Sequence, residues 1–185
     1  MRKFYVIKIM CVVVFILAST NVFAFDGKRK GFIIGGGIGG GFLSNKTSFG
    51  SFSDTESQGV FLTKLKIGYA PSNTLEIYYI SKGSWWREND MTLFLGVSAV
   101  AVTKYLDNTS ETGLFVTGGI GFSEFDAPFE GDVDASTGFG LIGGVGYEFS
   151  RHWSIEADLL YSKLEESGVD FDSFGVRVSV NVLAF

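Results

Sequence analysis

Cysteine and proline are almost missing from this chain. Its 185 residues include one cysteine, two prolines and one histidine. The lone Cys11 lies inside an apolar run near the N-terminus, so no disulfide framework is available. The scarcity of proline leaves long stretches free to supply every backbone N–H to a hydrogen-bonded ladder. Past residue 24 no apolar run reaches the roughly 20 residues that a membrane-crossing helix needs. Basic residues neither cluster nor dominate, which excludes nucleic acid as a partner. What the chain does have is glycine, 25 residues, and phenylalanine, 19 residues. Long sheets with two distinct faces fit that composition, and a helical bundle does not.

The N-terminus carries Arg2, Lys3 and Lys8, then an apolar stretch from Ile9 to Ala18, then Val22-Phe23-Ala24. This order is that of a secretory signal peptide cleaved after Ala24. The apolar core is too short for a membrane anchor, and Cys11 lies within it rather than after it, so lipidation is not expected. Residues 1–24 are therefore assigned to the signal and residues 25–185 to one domain. That domain keeps 12 Lys and Arg against 20 Asp and Glu, a net charge near −8.

Eight segments alternate: Lys30–Leu43, Gln58–Tyr69, Thr74–Lys82, Met91–Lys104, Gly113–Glu124, Thr137–Phe149, Trp153–Ser162 and Phe171–Phe185. Most meet the roughly 9–11 residues that a tilted strand needs to cross a bilayer. In the seventh, Trp153, Ile155, Ala157, Leu159 and Tyr161 share one face, and Ser154, Glu156, Asp158, Leu160 and Ser162 the other. In the eighth, Phe174, Val176, Val178, Val180 and Val182 oppose Ser173, Gly175, Arg177, Ser179 and Asn181. In the second, Phe61, Leu65, Ile67 and Tyr69 oppose Leu62, Lys64, Lys66 and Gly68.

A soluble sandwich also alternates, but two features favour a membrane barrel. The signal peptide sends the chain out of the cytoplasm. Tyr69, Tyr79, Tyr105, Tyr147, Phe149, Trp153 and Tyr161 gather near segment ends, as rings do at the borders of a lipid-facing band. Unpaired backbone groups are costly in hydrocarbon, so the sheet must close. The expected fold is all-β, an eight-stranded antiparallel transmembrane β-barrel with an up-and-down meander.

Short and long connections alternate along the chain. Pro71-Ser72-Asn73, Leu106–Thr112 and Ser150-Arg151-His152 are short; Ser44–Ser57, Gly83–Asp90, Phe125–Ser136 and Lys163–Asp170 are longer and polar. The short set is read as periplasmic turns and the long set as outer loops, which places both termini in the periplasm.

The inward set holds Lys64, Lys66, Glu76, Lys82, Glu148, Glu156, Asp158 and Arg177, with Tyr78. An eight-stranded barrel is just wide enough for side chains to fill. Buried charges must pair or be hydrated, so a salt-bridged plug is expected. Gly35-Gly36-Gly37 and Gly39-Gly40-Gly41 lack the Lys-Ser/Thr and the helix of a phosphate loop. They are read as sites of close approach and curvature.

Candidates for chemistry are thin. His152-Trp153-Ser154, with Glu165 and Glu166 beyond, has a spacing similar to that of some outer-membrane lipid A deacylases. A full strand separates the histidine from those acids, which puts them out of hydrogen-bond reach. Glu124, Asp126, Glu130, Asp132 and Asp134 lack calcium-loop spacing and are read as acidic surface. No catalytic, cofactor or metal residue is assigned, and the chain is expected not to be an enzyme. Trp85-Trp86-Arg87 falls in the second outer loop, where the rings serve either an aromatic girdle or a contact surface.

Phe139-Gly140-Leu141-Ile142-Gly143-Gly144-Val145-Gly146-Tyr147-Glu148-Phe149, a tight turn, and Trp153-Ser154-Ile155-Glu156-Ala157-Asp158-Leu159-Leu160-Tyr161-Ser162 resemble small outer-membrane β-barrel proteins. That group contains OmpX-like, opacity-like and OmpA transmembrane domains. The resemblance implies an outer-membrane address and a non-enzymatic role in envelope integrity or surface interaction through outer loops. A narrow pore or small-ligand transporter is the alternative, and a lipid-active enzyme the third reading. Implied partners are outer-membrane lipids and lipopolysaccharide, a host or surface ligand, and the barrel-assembly machinery. Phe185 matches the terminal aromatic that this machinery reads in such proteins, yet it has the opposite parity to the Val176–Val182 face, so either a bulge intervenes or the end bends away.

Overall fold

Each of the eight alternating segments becomes a strand, and every strand bonds to the next in sequence. The computed structural model describes residues 29–49, 52–107, 112–129, 135–166 and 169–185. The strands are β1 (Gly31–Phe49), β2 (Phe52–Ser72), β3 (Leu75–Glu88), β4 (Met91–Tyr105), β5 (Gly113–Asp126), β6 (Ser136–Ser150), β7 (Trp153–Glu166) and β8 (Val169–Ala184). The order around the sheet is β1 to β8, and β1 pairs antiparallel with β8 from Ile34↔Ala184 to Ser48↔Asp170. The result is the expected closed eight-stranded meander. The residues expected to form the signal peptide, 1–24, lie outside the described residues.

The faces follow the sequence alternation. Phe61, Leu65, Ile67 and Tyr69 point outward, as do Phe174, Val176, Val178, Val180 and Val182. These apolar side chains stay exposed on the isolated barrel because their solvent is lipid. The opposite set fills the interior: Leu62, Lys66, Glu76, Lys82, Glu156, Asp158 and Arg177 are all buried.

One end of the barrel carries tight turns. The chain reverses between Ser72 and Leu75, and again at Arg151-His152, where Ser150 pairs with Trp153. Register shifts occur between Tyr69 and Ser72 and between Glu148 and Ser150. The first contains Pro71, which has no N–H to give to the ladder and is tolerated at such an irregularity. His152 adopts φ 71°, in the left-handed region.

The other end departs from expectation. Three of the four segments read as long loops are mostly strand. Gly83–Asp90 is the C-terminal part of β3 plus a two-residue turn, with Glu88 paired to Met91 and Asn89 and Asp90 at φ 47° and 64°. Positive φ at both central positions is the geometry of a type I′ hairpin, which asparagine and aspartate tolerate. Ser44–Ser57 is likewise strand up to Phe49 and from Phe52, and Lys163–Asp170 is strand up to Glu166 and from Val169. Outside the hydrocarbon a strand needs no apolar face, so the alternation that marks strands in sequence fades although the ladder continues. The remaining connection joins Asp126 to Ser136, and Glu130, Asp132 and Asp134 lie outside the described residues.

Candidate functional site

The lumen divides into two stacked zones. Toward the turn end it is ionic. Lys82 on β3 reaches across to β7, with Nζ 2.7 Å from Glu156 Oε1 and 3.1 Å from Asp158 Oδ2. Arg177 on β8 donates from Nε to Asp158 Oδ1 at 3.0 Å and from Nη1 to Ser84 Oγ at 2.9 Å. Lys64 pairs with the second oxygen of Glu156. Lys66 pairs with Glu76, and its ammonium lies 3.9 Å from the centroid of the Tyr78 ring. The Tyr78 hydroxyl continues the chain of polar contacts to Thr103 at 2.7 Å, and Thr103 to Thr117 at 2.9 Å. Every charged group expected inside is there, and each has a partner of opposite sign.

Arg29 joins this network without having been singled out in the sequence. Its guanidinium bonds Glu148 at 2.9 Å, lies 3.8 Å from the centroid of the Tyr105 ring, and donates to the Asn73 carbonyl. It precedes the first alternating segment by one residue, so no periodic pattern includes it. The signal available was Glu148, an inward carboxylate for which no neighbouring strand offered a base.

Toward the hairpin end the lumen is mostly apolar, with Ser123, Ser162 and Ser173 as its buried hydroxyls. Leu43, Val60, Trp86, Leu95, Val97, Leu160 and Leu164 pack there as part of one cluster with Ile80 and Ile142, and Leu62 is buried beside them. Leu62 lies two positions from Lys64, and Leu160 two positions from Asp158. The same inward faces that carry the charges therefore close over them with hydrocarbon. Alternation alone separates inward from outward residues; it does not show that the inward ones segregate by height.

The turn end holds a small cavity with room for about one water molecule, lined in part by Lys64, Tyr105, Glu148, His152, Ser154 and Asn181. His152 and Ser154 both touch it but share no hydrogen bond. The histidine Nδ1 instead lies 2.8 Å from the Leu183 carbonyl, and its ring stacks on Phe185 at 4.6 Å between centroids. Glu165 is at the far end of β7, paired with Asp170. The residues of the hydrolase-like spacing are thus not brought together. Phe185 is buried, in keeping with its parity and unlike an outward terminal aromatic. Among the described residues no group of three or more histidine, cysteine or carboxylate side chains is placed to hold a metal.

The two tryptophans expected on an outer loop are on β3 and face opposite ways. Trp85 is on the outer wall, donating from Nε1 to Thr63 at 2.9 Å and packing on Phe94 at 4.5 Å. Trp86 points inward against Phe125 and caps the apolar zone. Trp85 is therefore a girdle residue and Trp86 a plug residue.

Above the plug the rim is uneven. The β1–β2 hairpin is backed by β8 as far as Ser48↔Asp170, but the pairing of β2 with β3 stops at Phe61↔Trp85. Residues from Phe52 to Val60 of β2 continue beyond that point, roughly 30 Å of strand at about 3.3 Å per residue. They form a ledge with one edge bonded to β1 and the other unpaired among the described residues. Ser53 to Ser57 and Gly59 are exposed.

Among solved structures the chain is similar to Ail, the attachment invasion locus protein of Yersinia pestis, at 13% identity over 82% of this chain and 99% of that one, TM-score 0.47. It is similar to Neisserial surface protein A at 16% identity over 80% and 96%, TM-score 0.49, and to OprG of Pseudomonas aeruginosa at 12% over 85% and 97%, TM-score 0.46. No curated protein matches the sequence. Residues 12–181 match the family described as outer membrane protein beta-barrel domain, and the chain belongs to that family.

Proposed function

We propose that this protein is a non-enzymatic outer-membrane barrel with a sealed lumen, acting at the cell surface through its β1–β2 ledge. It contributes to envelope integrity and to contact with a host or surface ligand. Its turn end and both termini face the periplasm, and its hairpin end faces outward. Its apolar wall is solvated by outer-membrane lipids and lipopolysaccharide, and it reaches the membrane through the barrel-assembly machinery. The observation that carries this reading is the contrast between the two ends of the lumen axis. Paired charges under a layer of Leu43, Leu62, Leu95, Val97 and Leu160 fill the bore, while the strand edge above it stands open. A filled bore leaves the rim as the surface available for function.

Planar-bilayer recording of the purified barrel tests the sealed bore. No discrete conductance is expected in molar salt, and stable open steps would favour the narrow pore instead. Replacing residues 46–55 by a two-residue turn tests the ledge. Cells carrying the shortened protein are expected to lose surface attachment while keeping the folded barrel; unchanged attachment would remove the ledge from the reading.

A further inference from the structure

We infer that the open edge of β2, from Ser53 to Gly59, receives an extended segment of a partner protein as an added strand, and that the segment carries lysine or arginine at alternate positions. The inference rests on the surface role proposed above and names the chemistry of the partner at that same ledge.

The edge is available along a defined run. No residue of β2 before Phe61 pairs with β3, although Trp86, Arg87 and Glu88 continue β3 past Trp85. The Thr55 N–H shows which backbone groups face the gap. It donates to the carboxylate of Asp54 at 2.9 Å rather than to a strand. Amide direction alternates along a strand, so residues 53, 55, 57 and 59 turn their N–H and C=O groups to the open side. A Cβ built on Gly59 would meet nothing within 4 Å. Exposed strand edges of this kind are templates for a further strand.

Charge selects the occupant. The run from Phe52 to Val60 reads Phe-Ser-Asp-Thr-Glu-Ser-Gln-Gly-Val and contains two carboxylates and no base. Asp54 and Glu56 are both exposed, and both project to the face that continues the inner wall through Gln58 and Val60. Two carboxylates two residues apart on one face are complemented by two cations two residues apart on the added strand. A second copy of this chain, paired antiparallel through the same edge about Thr55 or Glu56, sets carboxylates opposite one another, which is unfavourable. The edge therefore discourages self-association, and a basic extended segment relieves the repulsion. The carboxylate that occupies the Thr55 N–H also leaves it readily, since Asp54 is exposed and its replacement acceptor is the carbonyl of the incoming strand.

The test uses the full barrel in lipid nanodiscs with three synthetic peptides. One alternates lysine with threonine and valine, the second has glutamate in place of lysine, and the third is the lysine peptide N-methylated at every residue, so that neither of its edges can donate. Amide hydrogen exchange is read residue by residue. The lysine peptide is expected to slow exchange at residues 53, 55, 57 and 59 by roughly tenfold or more, leaving 54, 56 and 58 unchanged. The glutamate and N-methylated peptides are expected to have no effect. The double variant Asp54→Lys/Glu56→Lys, whose changes are on exposed side chains, is expected to reverse the preference toward the glutamate peptide. Equal protection by lysine and glutamate peptides, or none by the lysine peptide, overturns the inference. Such a failure is distinct from a failure of the sealed-barrel reading, which shows as bilayer conductance regardless of peptide.

Discussion

Lys82 and Asp158 meet across the bore, 3.1 Å apart, from strands that are not neighbours in the wall. Neither is exposed. The contact ties β3 to β7 through the centre of the barrel, and Glu156 and Arg177 complete the cluster on either side. Such a cluster couples strands that the ladder alone links only through several intermediates.

Removing one member should therefore unbalance the rest. Glu156→Gln leaves Lys64 without its carboxylate and Lys82 with Asp158 alone. A loss of about 3–5 kcal/mol is expected for an orphaned buried charge, measured as reversible urea unfolding in lipid vesicles. Adding Lys64→Met to Glu156→Gln should recover part of the loss, because Lys82 and Arg177 keep Asp158 and the orphaned cation is gone. A Glu156→Gln variant as stable as the parent would show that the cluster carries no net stabilisation.

The seam between β1 and β8 depends on glycine for close approach. A Cβ on Gly39 would sit 2.7 Å from Ser179 Cα and closer still to the Val178 carbonyl, both backbone atoms that cannot swing aside. Gly39→Ala is expected to cost about 1–3 kcal/mol through overpacking and to lower the yield of closed barrel. Gly118→Ala, on the lipid face with nothing within 4 Å, is expected to be neutral or mildly stabilising. Equal effects of the two would refute the seam argument.

Trp85 and Trp86 are adjacent in sequence and opposite in environment. Trp85→Phe should lose the hydrogen bond to Thr63, about 1 kcal/mol, whereas Trp86 Nε1 has no partner to lose. Proteins keeping one tryptophan each should separate in fluorescence. Brominated lipids are expected to quench Trp85 strongly and Trp86 weakly. The reverse order would place the β3 faces wrongly.

His152 holds the β6–β7 turn to the C-terminal segment. Its carbonyl accepts from the Leu183 N–H at 2.9 Å, its Nδ1 lies 2.8 Å from the Leu183 carbonyl, and its φ is positive. Both His152→Ala and His152→Gly lose the side-chain contact, but only glycine adopts the backbone freely. Glycine is expected to be the milder change by roughly 0.5–1 kcal/mol, read from thermal unfolding in detergent. An alanine variant as stable as glycine would show that the turn relaxes without strain.

The sequence reading and the structure part at identifiable residues. Glu156 and Asp158 were legible as inward charges because Trp153 to Ser162 alternates without a break. Arg29 was not, because its role comes from proximity to Glu148, 119 positions away. Gly83–Asp90 reads as a loop in sequence because its polar and aromatic residues break the apolar rhythm, while the backbone pairing of Gly83–Glu88 with Met91–Gly96 needs no such rhythm. In sequence, the opposite parity of Phe185 to Val182 calls for a bulge or a bent end; in the structure its ring is buried beside His152.

By itself, the chain order of apolar and polar residues settled the strand number, the lipid-facing wall and the charged character of the bore. These follow from a period of two, which is a local property of the backbone. Tertiary structure alone decided which charges meet, that hydrocarbon closes over them, and that β2 outruns β3 to leave an open edge. Those outcomes depend on cross-strand register and on distances through the bore, and register relates residues that no local pattern links.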